Sequence, residues 1–310
     1  MTAAAAKQAA PMQEFVLDTP LGRIAGLRAG APGAPKVLAL HGWLDNAASF
    51  VPLAAHLPGI DLVAPDLPGH GRSAHLPQGA DYSFAGAVNS VLDIADALGW
   101  ERFALLGHSM GAGIGSLLAA ACPQRVARFV AIEALGALSE APERTAGRLR
   151  EAIAAARALP GKRLRVFPDI ASAARARMQA NALSEPVARL LVERGLVPVQ
   201  ADGEHRVDEQ PAGYAWSSDP RLTLPTMVRM TESQVHDLVR GIQCPTRVIH
   251  ADPAQPYLPD ALRRARAALL PRGELVVIAG GHHLHMEQPA EVAAVIGDFF
   301  MDASDRSAGG

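Results

Sequence analysis

Over residues 1–135, short apolar runs alternate with longer stretches of helical spacing, and this alternation constrains the fold more than any other feature. Glu14–Asp18 and Gly22–Arg28 read as strands joined by a turn at Thr19-Pro20. After its lysine, Lys36–Leu40 (KVLAL) is apolar at every position, the pattern of a strand covered on both faces. A helical stretch, Ala47–Leu57, leads to the strand Ile60–Ala64. Tyr82–Leu98 carries Val88, Val91, Leu92 and Ala95 at helical spacing and stops at Gly99. Phe103–Leu106, a helix over Ile114–Ala121, and Phe129–Ile132 continue the series. Alternation of this kind implies a parallel sheet with helices on both faces.

The pattern breaks after Leu135, where the chain becomes arginine-rich and helical with interruptions at Pro160, Pro168, Pro186 and Gly195. It resumes with Thr246–Ala251, a helix near Pro259–Leu270, Glu274–Ala279 and a last helix, Pro289–Met301. The expected organisation is a core of residues 14–135 and 236–303, interrupted by a mainly helical insertion over 136–235. Residues 1–13 and 304–310 read as flexible tails.

Composition removes several classes of function. Hydrophobic residues make up 49% and charged ones 19%, so the chain can bury a core and is not of the disordered type. A net charge of −2 gives no global field toward nucleic acid or an anionic membrane. Two cysteines, Cys122 and Cys244, supply neither a disulfide framework nor a cysteine-based zinc site. No apolar run is long enough to span a bilayer, and the N-terminus lacks the pattern of a secretory signal; the expected location is the cytoplasm.

The chemistry concentrates in two segments. Gly107-His108-Ser109-Met110-Gly111 lies between a predicted strand and a predicted helix. A serine on such a turn stands proud of the sheet, with glycines two positions to either side relieving clashes. A hydroxyl is a poor nucleophile without a base. Gly281-His282-His283-Leu284-His285, after the last strand, supplies histidines at the same sheet edge, and His282 is the expected base. His283 and His285 read as packing around it, and a metal reading of the cluster lacks a carboxylate or cysteine at ligand spacing. Leu40-His41-Gly42-Trp43 follows the strand at 36–40, so the Trp43 and Met110 N–H groups are the expected donors of an oxyanion hole. His41, His70, His75, His205 and His250 read as structural or exposed, and Asp66 as structural.

HGW at 41–43, PDLPGHGRS at 65–73, GHSMG at 107–111 and GHHLHMEQP at 281–289 together resemble the α/β-hydrolase superfamily. HGWLDNA at 41–47, residues 282–289 and, less closely, WSSDPRL at 216–222 resemble its serine hydrolase-like branch. The resemblance implies an eight-stranded, mostly parallel sheet with helices on both faces, a cap built from the insertion, and Ser–acid–His catalysis in that chain order. The residues themselves show no nucleotide-binding glycine motif and no metal constellation, so no cofactor and no metal is expected.

The acid departs from that pattern. Most members of the superfamily carry it as Gly-x-x-Asp after the penultimate strand, but the matching place here is Ala254. Glu133, at the end of the strand 129–132, is the favoured substitute; members resembling the haloalkane dehalogenases with a glutamate acid place it similarly. The glutamate's extra methylene helps span the additional strand spacing of about 4.8 Å. Asp252 is the alternative, and a dyad with water or another carboxylate remains open.

These residues point to a serine hydrolase cleaving an ester-like acyl bond of a small apolar substrate. Carbon–carbon or perhydrolytic chemistry with the same triad is one alternative, and a noncatalytic ligand receptor is another. Phe167, Leu183, Trp216 and Met227 are the expected pocket lining, and the sequence leaves the oligomeric state open.

Overall fold

The computed structural model of the chain describes residues 11–30, 33–161, 165–200 and 212–301; His205, most of the predicted tail 1–13 and all of 304–310 lie outside them. The first strands are β1 (Gln13–Thr19), β2 (Gly22–Ala29), β3 (Lys36–Leu40), β4 (Asp61–Pro65), β5 (Phe103–His108) and β6 (Val126–Ile132). The insertion contributes β7 (Val166–Phe167), β8 (Leu196–Val199) and β9 (Gly213–Trp216), and the core closes with β10 (Thr246–Asp252) and β11 (Gly273–Ala279). The main sheet has eight strands in the order β1-β2-β4-β3-β5-β6-β10-β11. β1–β2 and β2–β4 pair antiparallel; every other neighbouring pair is parallel.

Helices cover both faces. They are α1 (Val51–Ala54), α2 (Phe84–Ala97), α3 (Met110–Ala121), α4 (Thr145–Ala158), α5 (Ile170–Asn181), α6 (Glu185–Gly195), α7 (Glu232–Gly241), α8 (Asp260–Ala267), α9 (Leu284–Glu287) and α10 (Pro289–Ile296). The two-residue period of the strands sorts neighbouring side chains onto opposite faces. Leu38, Leu40, Leu105 and Phe129 pack with Ile94 of α2, Leu118 of α3 and Val239 of α7. Val37, Ala39, Leu106 and Val130 pack on the other face with Leu53 of α1 and Val292 and Ile296 of α10. This double burial explains why β3 reads as a continuous apolar run. None of the described helices is long and apolar enough to cross a membrane.

Several boundaries differ from the sequence reading. The stretch 47–57 is a short 3₁₀ turn (Ala47–Phe50) running into α1, and α10 ends at Ile296, where Gly297 has φ 52°. α7 begins at Glu232, and its Val235 and Val239 pack in the main core. β1 claims Gln13 from the predicted tail. The insertion is mainly helical but also holds a three-stranded sheet, β7-β9-β8, which its arginine-rich sequence did not reveal. Strands of two and four residues are too short to show a period.

The insertion meets the loops that follow β3 and β4 through polar contacts. Asn46 Nδ2 donates to the Leu191 carbonyl (2.8 Å), and Trp43 Nε1 donates to that of Leu222 (2.8 Å). Arg194 of α6 places Nε 2.9 and 3.0 Å from the two carboxylate oxygens of Asp66, which also accepts the N–H groups of Ala47 and Arg72. Both partners are buried. Removing one partner of such a pair leaves an uncompensated charge, whereas exposed helical pairs contribute little. Arg194→Met should therefore lower the unfolding free energy in urea by about 3–5 kcal/mol. Arg189→Met, which breaks an exposed pair with Glu185, should change it by less than about 0.5 kcal/mol.

Candidate active site

Ser109 follows β5 and immediately precedes α3, with φ 51° and ψ −114°. This positive φ is sterically costly for a residue with a Cβ and is held by surrounding structure. Ser109 N–H donates to the Ile132 carbonyl of β6 (2.8 Å), and Gly113 N–H donates back to the Ser109 carbonyl (3.0 Å). The flanking glycines are required by close approach. A Cβ on Gly111 would sit 2.0 Å from the Leu40 carbonyl oxygen, and one on Gly107 would sit 2.5 Å from the Ala112 Cα.

His282 reaches the same place from the loop after β11. Its Nε2 lies 3.0 Å from Ser109 Oγ, and its Nδ1 lies 3.0 Å from Glu133 Oε2. With Nδ1–H donating to the carboxylate, Nε2 is free to accept the serine proton. Glu133 follows β6 with φ 62°, its side chain buried. The Ala251 N–H of β10 donates to Glu133 Oε1 at 2.6 Å, and His250 Nδ1 lies 3.5 Å from that oxygen. Burial would raise the Glu133 carboxyl, but the nearby His250 and the hydrogen bonds from His282 and Ala251 outweigh it and hold the group at about 2. Asp252, the alternative acid, ends β10 with an exposed residue; the carboxylate beside His282 Nδ1 is that of Glu133.

The structure also brings together residues that the sequence reading left apart. Asp45, three positions beyond Gly42, is fully buried, accepts from Arg177 of α5, and lies 3.2 Å from His283 Nε2 and 3.7 Å from His108 Nδ1. Burial pushes the Asp45 carboxyl up, but His283, Arg177 and His108 reverse this and hold it well below the usual range. His108 Nε2–H donates to the His282 carbonyl at 2.9 Å, so the residue beside the serine steadies the loop carrying the base. The His108 ring packs 4.0 Å from that of His285, and burial holds both imidazoles neutral, His285 at about 3. His41 is buried, accepting the Leu67 N–H and donating to the Gly42 carbonyl.

Asp45, His108 and His283 are the group among the described residues whose ligand atoms, within 4.8 Å of one another, could share a metal ion. The carboxylate that spacing arguments found missing from the histidine cluster thus arrives from a distant loop. Its charge is already matched by Arg177. Nothing in the residues around Asp45 marked it; the turn that carries it, with Leu44 at φ 57°, shows only in the structure.

A cavity of about 910 Å³ opens over Ser109. Trp43 and Met110 border it with His282, Phe84, Leu222 and Tyr257. Met110 begins α3 and therefore has no intrahelical acceptor for its N–H. The expected lining is corrected. Phe167 and Trp216 pack on each other inside the cap, Leu183 packs near Met286, and Met227 is exposed elsewhere. The wall is built instead by α2, the 3₁₀ segment Pro220–Thr223 and the strap that follows it.

A family model described as the alpha/beta hydrolase fold matches residues 35–289. A serine hydrolase-like protein of Dictyostelium discoideum is 30% identical over 284 residues, covering 88% of this chain and 76% of that one. The lipase LipV of Mycobacterium tuberculosis is 32% identical over 272 residues, covering 87% and 94%. The crystal structure of a hypothetical protein of Pseudomonas aeruginosa superposes with a TM-score of 0.85 at 39% identity, covering 94% of this chain and all of that one.

Two outcomes test the role of Glu133. Glu133→Gln should lower kcat by roughly 10³- to 10⁴-fold while Asp252→Asn changes it little. The folded-state carboxyl is depressed, so its contribution to stability is present above the unfolded value of about 4.3 and is lost as pH falls toward 2. The stability gap between wild type and Glu133→Gln should therefore be constant from pH 7 to 5 and close between pH 4 and 2, as followed by urea unfolding.

Proposed function

The chain belongs to the α/β-hydrolase fold family, in its serine hydrolase-like branch, and on that premise we propose that it cleaves an ester-type acyl bond with Ser109, His282 and Glu133 as triad. Ser109 Oγ attacks the acyl carbonyl as His282 Nε2 takes its proton, and the charge developing on the carbonyl oxygen faces the Trp43 and Met110 N–H groups. Each such donor contributes about 3 kcal/mol to the transition state. The imidazolium then protonates the departing alkoxide, leaving an acyl-serine. Water, deprotonated by the same nitrogen, releases the acid and restores the serine. Glu133, ionised throughout, fixes the imidazole tautomer and stabilises its charged form.

The observation that carries this reading is the pair of 3.0 Å contacts of His282, one to Ser109 Oγ and one to Glu133 Oε2. A mostly apolar cavity bordering all three suits a small ester. The relative named as a lipase acts on the same class of bond, which favours esters over other acyl derivatives. In a panel of p-nitrophenyl esters of graded acyl length, the protein should turn over at least one chain length, and a fluorophosphonate should label Ser109. Ser109→Ala should abolish the label and lower kcat by about 10⁴-fold or more. Absence of both turnover and labelling would refute the proposal.

A further inference from the structure

The charged groups bordering the cavity divide into those already neutralised and those that are not. Asp45 is matched by Arg177. Arg221 is bound by Asp219 (Nη2 to Oδ2, 2.6 Å), and Arg266 by Glu232 (2.7 Å) and by the Leu135 and Ala137 carbonyls. Arg229 differs. It lines the cavity half-buried, yet among the described residues its guanidinium makes no hydrogen bond and no ion pair. The carboxylate whose field it feels, Glu140, is held by Arg148 through two contacts of 2.5 Å. Burial is the largest influence on Arg229 and works against its charge, followed by the repulsion of Arg148. A guanidinium does not relieve that cost by losing its proton.

A second group on the same strap is also without a partner. Thr226 borders the cavity, and its Oγ1 has no hydrogen bond and no surface open to the cavity, so it reaches a ligand there by rotation about χ1. Buried polar atoms are rarely left so in a native protein, and a ligand is one way to satisfy them. Arg229 and Thr226 stand three positions apart on the segment after Pro220–Thr223, against a wall that is otherwise mostly apolar. Two carboxylates also border the cavity, Asp81 ahead of α2 and Asp93 on α2, and neither bonds to Arg229.

We propose that Arg229 and the Thr226 hydroxyl form an anion subsite in the substrate cavity, and that the substrate is an ester carrying an ionised carboxylate, or a similar small anion, away from the scissile bond. A planar guanidinium holds a carboxylate through two parallel N–H donors, and the threonine hydroxyl donates a third hydrogen bond. The apolar residues that line the rest of the cavity accommodate the methylenes of such a substrate. This deepens the ester-hydrolase reading and rests on it.

The test compares p-nitrophenyl butyrate with the mono-p-nitrophenyl esters of succinate, glutarate and adipate. At least one anionic ester should have a kcat/KM about 10-fold or more above that of the neutral ester. Arg229→Met should reduce that preference by about 10- to 100-fold through KM, Arg229→Lys should keep part of it, and Thr226→Val should reduce it several-fold. A wild type that prefers neutral esters overturns the subsite, as does one that prefers trimethylammonium esters, which Asp81 and Asp93 would favour. Equal effects of Arg229→Met on neutral and anionic esters overturn it too. Titration calorimetry of glutarate into the Ser109→Ala protein reads the subsite without turnover. Binding that is lost in Ser109→Ala/Arg229→Met supports it even if no ester is cleaved, and no binding to Ser109→Ala refutes it while ester hydrolysis by the wild type stands.

Discussion

A carboxylate remains ionised away from water only where donors surround it, and the architecture of this site follows from meeting that condition at Glu133. Its two oxygens are taken by an N–H of β10 and by the imidazole that follows β11, while its own backbone continues β6. One side chain thus ties together the carboxyl ends of three neighbouring strands. The same contacts orient His282 toward Ser109, on the turn after β5. The positive φ at both Ser109 and Glu133 reflects the demand that each chain turn sharply at its strand end and still aim a side chain across the sheet edge.

Asp45 meets the same condition in a different way. Arg177 of the cap and His283 of the base-bearing loop converge on it, from a turn that begins at the residue expected to bind the oxyanion. The insertion, the loop after β3 and the loop carrying His282 therefore share one buried carboxylate, and Asp66 with Arg194 repeats the arrangement one loop away. Breaking either link would loosen the walls of the cavity before it touched the reacting atoms.

Much of this was legible in the residues. β3, β5 and β6 announce themselves as runs of apolar residues because both faces of the sheet are covered, and the Gly-x-Ser-x-Gly turn declares its glycines because Leu40 and Ala112 leave no room for a Cβ. Glu133 could be named because it ends a recognisable strand beside the one carrying the serine. The cap strands were not legible, since their pairing is decided by contact with one another rather than by any local period. The cavity wall was misread for a related reason. Phe167, Leu183 and Trp216 are large and apolar, but they satisfy one another or the core, and the strap that borders the cavity has no regular period to read.

By itself, then, the chain order determined a doubly covered parallel sheet, the serine on its turn, and a histidine at the same edge. Periodicity and glycine placement are local properties, written within a few residues of where they act. Tertiary structure decided between Glu133 and Asp252 beside His282, joined Asp45 to α5 and to the loop after β11, and left Arg229 without a counter-charge among the described residues. Those outcomes depend on the order of strands in the sheet and on where the cap comes to rest, and both are settled between segments far apart in the chain.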